Sequence, residues 1–159
     1  MSVEIIAEIG VNHNADLELA FSMVKKAAKS GADIIKFQTA IPELVQTANA
    51  PMADYQVKNT GKKVSQLEMS KKLHFPLEIF STLKSEVESY GKVFMSTAFD
   101  LVSLDLLADL GEKTFKIPSG ELTNLPYLRK IGSKANKVFM STGMATYSVV
   151  EDALQVILN

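Results

Sequence analysis

Five short apolar runs, each followed by a stretch of helical periodicity, limit what this chain can fold into more than any other feature. Residues 3–9, 32–37, 93–95, 114–117 and 138–140 read as buried strands, rich in Val, Ile and Phe. Between the first two, Leu17, Ala20, Phe21, Val24, Ala27 and Ala28 recur at helical spacing over residues 17–30. Asp16 is placed to cap that helix, Lys25, Lys26 and Lys29 suit the negative end of its dipole, and Gly31 stops it. Further helices are predicted over residues 76–90, 101–110, 125–131 and 148–158, the first two ended by Gly91 and Gly111. Ser65 with Glu68 three residues on is a capping box that opens a shorter helical segment. Residues 40–64, with Pro42, Pro51, Asn59 and Gly61, read as one long loop, a length that suits a functional or mobile segment.

Alternating strands and helices imply a parallel α/β sheet with right-handed crossovers. Two architectures satisfy the pattern: a doubly wound sheet of five strands, or the first five units of a (β/α)8 barrel, which runs to about 250 residues. The Gly10-Val11-Asn12-His13 turn lacks the Gly-x-Gly-x-x-Gly spacing of a dinucleotide loop, which counts against a Rossmann domain. At 159 residues, 47% hydrophobic, the chain suits one domain with a sizeable core, and a net charge of -1 gives no footprint for nucleic acid. There is no cysteine, so disulfides and thiolate chemistry are excluded; with two histidines, a metal site built of histidine alone is not expected. The N-terminal residues lack a signal-peptide pattern, and no apolar run nears the roughly 18 residues of a membrane helix. A cytoplasmic location is the resulting expectation.

In a parallel α/β sheet the carboxyl ends of the strands share one side, where ligands bind. The strand ends here carry Glu8, Asn12 and His13; Lys36, Gln38 and Thr39; Ser96 and Thr97; Lys116, Ser119 and Glu121; and Ser141 and Thr142. Two lysines and several hydroxyls form a plausible phosphate cradle, although Ser and Thr at such points also cap the helices that follow. Glu8 and Glu121 are the candidate acid-base groups; a structural ion pair with Lys36 or Lys116 is the alternative. His13 is either a ligand or substrate contact or a hydrogen-bonded loop residue, and His74, before Phe75-Pro76, reads as structural.

Ala7-Glu8-Ile9-Gly10-Val11-Asn12-His13-Asn14, Lys36-Phe37-Gln38-Thr39, Ser96-Thr97-Ala98-Phe99, Lys116-Ile117-Pro118-Ser119-Gly120-Glu121 and Ser141-Thr142-Gly143-Met144 together resemble the sialic acid synthase family, which includes N-acetylneuraminate synthase and the legionaminic and pseudaminic acid synthases. Tyr55-Gln56 and Ser65-Gln66-Leu67-Glu68-Met69 extend the match through the long connection. The resemblance implies a (β/α)8 TIM barrel followed by a small antifreeze-like domain, with residues 1–159 supplying about the first five β/α units. It implies condensation of phosphoenolpyruvate with an N-acetylated amino sugar such as N-acetylmannosamine, with release of phosphate. It implies a divalent cation, commonly Mn2+, and a domain-exchanging homodimer.

By motif, Lys36, Thr97, Lys116, Ser119 and Ser141 resemble the phosphoenolpyruvate-binding residues. Glu8, Gln38 and Glu121 resemble the groups around the reacting carbons, with Glu121 the first choice for proton transfer. Asn12 and His13 would line the same mouth, and Tyr55 and Asn59 would approach the sugar. Ala98 stands where the family often has proline. The family's metal-ligating histidines and its sugar-binding arginine fall on later segments, so no metal ligand is assigned here and these 159 residues alone are predicted to be inactive. A related sugar-acid phosphate synthase would carry other strand-end motifs than Asn12-His13 and Ser119-Gly120-Glu121. The competing reading is a non-catalytic fragment that binds a phosphorylated metabolite or a partner.

Overall fold

The computed structural model describes residues 3–61 and 64–159; the side chains of Tyr55, Asn59 and Thr60 lie outside the described set, and with them the expected sugar contacts of Tyr55 and Asn59. Strand β2 (Ile34–Thr39) lies between β1 (Ile6–Gly10) and β3 (Val93–Ala98) in a parallel sheet of order β1-β2-β3. Strands β4 (Thr114–Ile117) and β5 (Lys137–Met140) form a second parallel pair, and β4 lies beside β3. The expected parallel α/β architecture is therefore present, divided into sheets of three and two strands.

Alternation along the strands separates two faces. Ile35, Phe37 and Thr39 of β2 are wholly buried against the helices, whereas Lys36 and Gln38 between them are half-buried on the opposite face. The helix-facing side continues through Phe94 and Ala98 of β3 and through Phe115 and Ile117 of β4. Helices α1 (Leu17–Lys29), α5 (Ile79–Ser89), α6 (Leu101–Asp109), α7 (Leu125–Lys134) and α8 (Tyr147–Leu158) cover it with Ala20, Val24, Leu83, Val87, Leu104, Leu107, Leu128, Ile131 and Ala153. Burying one side chain of the size of Phe37 or Leu104 contributes about 1.5–3 kcal/mol, so this layer is the main stabilising element.

The predicted caps form. The Asp16 carboxylate accepts from Leu19 N at 3.0 Å, and Ser65 and Glu68 bond reciprocally, Glu68 N to Ser65 Oγ at 3.1 Å and Ser65 N to Glu68 Oε2 at 3.2 Å, opening α4 (Gln66–Leu73). Several boundaries move. β1 begins at Ile6, where its pairing with Ile34 begins, while β2 and β3 run on to Thr39 and Ala98, where the ladder pairs Thr39 with Ala98. α5 starts at Ile79, one turn after Pro76. The connection over residues 40–64 is not a bare loop: it holds the single-turn helix α2 (Pro42–Val45) and α3 (Asp54–Thr60), and Pro51 bridges to Ser65. Pro42 fits the first helical turn, where no amide donor is required.

Candidate active site

The side chains that gather at the open face arrive there by strand register. Glu8, Lys36 and Met95 are direct neighbours across β1, β2 and β3, and Lys116 pairs with Phe139 across β4 and β5. Glu8, Lys36, Met95, Lys116, Phe139 and Ser141 line one cavity of about 450 Å³. Lys36 Nζ is ion-paired with Glu8 Oε2 and donates to Thr97 Oγ1 at 3.3 Å. Lys116 Nζ donates to the Ile117 carbonyl at 2.6 Å. Burial, reinforced by the positive charge of Lys36 and opposed by Glu8, pushes the Lys116 ammonium below its usual range. Two cations thus face one cavity with one carboxylate between their demands, an arrangement that an anionic ligand would relieve.

Gly10 completes the Glu8 side. It adopts φ +59°, and a Cβ there would sit 3.1 Å from Glu8 Oε1 and 3.4 Å from Gln38 Nε2. The bare backbone therefore lets the Glu8 and Gln38 side chains close over the strand end. Gln38 stands two residues beyond Lys36, on the same face of β2.

The residues after β4 and β5 lie at the rim. Ser119 opens the 3-10 turn Ser119–Glu121, and its Oγ lies 3.5 Å from where a Cβ on Gly143 would be, so the loops after β4 and β5 pack together. The Glu121 carboxylate accepts from Asn124 Nδ2 at 2.6 Å, while Asn124 Oδ1 caps α7 through Tyr127 N at 3.3 Å. Tyr127 is buried and donates its hydroxyl to the Ala98 carbonyl at 2.7 Å; burial and the carboxylates of Glu121 and Asp100 push its phenol well above the usual range, which keeps it a donor.

His13 and Ser96 are placed differently from the sequence expectation, while Asn12 stays at the strand end. Asn12 is exposed in the turn after β1 and bonds the Ile9 carbonyl through Nδ2 at 2.8 Å. His13 does not line the mouth: it is 1% exposed, stacked on Phe75 with ring centroids 4.2 Å apart, and its Nδ1 accepts from Ala15 N at 3.1 Å. Burial and the neighbouring His74 lower its pKa to about 4 against a smaller opposing effect of the Gly10 backbone, so the ring is neutral at pH 7. Ser96 faces the helices, where it hydrogen-bonds Thr39 at 2.7 Å with both side chains buried.

Sequence reasoning missed the apolar half of the cavity and one polar tie. Met95 and Phe139 are on the lysine face because they pair in register with Lys36 and Lys116, a signal visible only once the strands are aligned. Asp100, at the head of α6, accepts from Ser103 N at 2.8 Å, from Ser103 Oγ at 2.7 Å and from Ile41 N at 2.8 Å. It fixes the start of the 40–74 segment to the head of α6. Among the described residues, no three His, Asp or Glu side chains come together as a cation site: Glu8 is engaged by Lys36 and Glu121 by Asn124.

Comparison with known proteins agrees with this geometry. The NeuB family model matches residues 23–159. The chain is 48% identical to N,N'-diacetyllegionaminic acid synthase of Campylobacter jejuni, over 96% of this chain and 46% of that protein. It is 31% identical to N-acetylneuraminate-9-phosphate synthase of Mus musculus, over 96% and 42%. The crystal structure of N-acetylneuraminic acid synthetase from Leptospira borgpetersenii, in complex with citrate, superimposes with a TM-score of 0.80 at 29% identity, covering 99% of this chain and 50% of that one. The chain spans about half the length of the relatives it matches. With the strand-end residues in their places and the family model covering most of the sequence, the chain belongs to the NeuB family.

Proposed function

We propose that these residues form the phosphoenolpyruvate-binding part of a synthase that joins phosphoenolpyruvate to an N-acetylated amino sugar, giving a nonulosonic acid and phosphate. The observation that carries this reading is the single cavity in which Lys36 and Lys116 face each other beside Glu8 and Ser141. A phosphate and a carboxylate on one small molecule match two separated ammonium groups, and burial of Lys116, with the charge of Lys36 adding to it, disfavours its ammonium until negative charge fills the cavity. Among the named relatives, one of the more similar is a diacetyllegionaminic acid synthase, and a sugar bearing two acetamido groups is the substrate class we assign.

In the reaction, C3 of phosphoenolpyruvate forms a bond to the sugar aldehyde carbon, whose oxygen takes a proton. Water then adds at C2, and the C–O bond to phosphate breaks as the C2 carbonyl forms. Lys36 and Lys116 would hold the anionic groups and stabilise charge as phosphate departs, with Thr97, Ser119 and Ser141 adding hydroxyl contacts. Glu121, held by Asn124 at the rim, is the first choice for proton transfer, and Glu8, the carboxylate in the lysine cavity, is the second acid-base group near the reacting carbons. A divalent cation such as Mn2+ would have to find its ligands outside the residues described, and no step above depends on it. We place the chain as the first five units of a (β/α)8 barrel, with a domain-exchanging dimer as the assembly of the full-length protein.

Lys116→Ala is expected to weaken phosphoenolpyruvate binding by about 10- to 100-fold, the scale of a lost charge-assisted contact, measured by titration calorimetry. Unchanged affinity would remove the anion-site assignment. The 159 residues alone are expected to bind phosphoenolpyruvate without turnover, and phosphate release with an N-acetylated hexosamine is expected only at the full length of the relatives.

A further inference from the structure

A second cavity, of about 350 Å³, lies between the strand ends and the 40–74 segment and is lined by Gln38, Gln46, Gln66, Met69, Leu73 and Phe99 among others. It adjoins the catalytic face through Gln38, two residues beyond Lys36 on β2. Gln46 Oε1 and Gln66 Oε1 are both buried without a hydrogen-bond partner. A buried acceptor left unpaired is costly, and two of them along one cavity call for a donor from outside the protein. Met69, Leu73 and Phe99 give the cavity an apolar stretch of wall beside its polar lining.

An acetamido group offers the matching set: one N–H to donate, a carbonyl to accept from a glutamine NH2, and a methyl for the apolar wall. We propose that this cavity is the subsite for the second acetamido group of a diacetamido sugar, with Gln46 and Gln66 accepting from its N–H and Met69, Leu73 and Phe99 packing its methyl. The assignment rests on the synthase reading above and adds which residues select the doubly acetylated substrate. A glutamine-lined site rejects a sugar lacking the amide because its own buried oxygens are then left unpaired.

The test compares a hexose carrying two acetamido groups with its analogue in which one is replaced by hydrogen, so that no donor remains at that position, titrated into the protein at the full length of its relatives. The wild type should bind the diacetamido sugar about tenfold or more tightly than the analogue, the factor of one well-formed hydrogen bond with its packing. Gln46→Leu and Gln66→Leu should each reduce that ratio toward one while phosphoenolpyruvate affinity, which reports an intact fold, stays unchanged. In protein with labelled methionine methyls, the Met69 methyl should shift with the diacetamido sugar and not with the analogue. Equal affinities in the wild type, or a ratio that survives both substitutions, would overturn the subsite and show that water alone fills the cavity, leaving the synthase reading in place. If neither sugar binds, both readings are overturned.

Discussion

At the scale of single residues, His13 shows how burial decides the meaning of a side chain. Its ring lies between Phe75 and Phe37, with Nε2 buried and unpartnered, and its Nδ1 fixes a turn in which Asn14 and Ala15 hold positive φ angles of 50° and 57°. The pKa falls from 6.5 to about 4 on folding, so the folded protein binds fewer protons than the unfolded chain between those values. Stability from the neutral ring is therefore complete above pH 6.5 and is lost as pH falls toward 4, by roughly 3 kcal/mol on the scale of 1.36 kcal/mol per pKa unit. Denaturant unfolding of the wild type and His13→Gln across pH 4 to 7 should show this slope only in the wild type; parallel curves would refute it. Lys116 works in the opposite part of the scale. Its lowered pKa means that empty-cavity stability rises with pH between that value and 10.5, whereas anion affinity falls over the same window as the ammonium is lost.

At the scale of elements, Asp100 ties the start of the 40–74 segment to the head of α6. One carboxylate caps α6 and receives the Ile41 amide, joining the exit of β2 to the exit of β3. Asp100→Ala removes the cap and leaves the Ile41 N–H unpaired, a loss of about 2 kcal/mol from the two effects together. Thermal unfolding should record the loss, and hydrogen exchange should quicken at Ile41 and Ser103. Exchange unchanged at Ile41 would mean that the tie does not hold the segment. Because α2 and α4 flank the glutamine-lined cavity, loosening this tie is also expected to reach sugar binding before it reaches the lysine cavity.

At the scale of the whole molecule, the face that carries Lys36 and Lys116 is also the more open one. Ile6 is 37% exposed and Val93 56% exposed on that side, and β1 and β5 each have one strand neighbour among the described residues. Apolar side chains and free strand edges of this kind favour association. The 159 residues expressed alone should show a concentration-dependent rise in mass by light scattering, and Ile6→Lys with Val93→Lys should suppress it. A monomer at all concentrations would show that the open face is not adhesive. No helix among the described residues is long and apolar enough to cross a membrane.

The order of strands and helices and the Asp16 and Ser65 caps were legible in the sequence, because each depends on residues within a few positions of one another. The strand-end motifs marked the family for the same reason. Only the tertiary structure decided which strand ends meet. Parallel pairing brought Met95 and Phe139 beside the lysines, folded Glu8 and Gln38 over the bare backbone of Gly10, and turned Ser96 and His13 away into the core. It also enclosed Gln46 and Gln66 at the edge of the site. Local periodicity fixes the face on which a side chain stands; what it meets there depends on register and burial between segments distant in sequence, which no short-range pattern encodes.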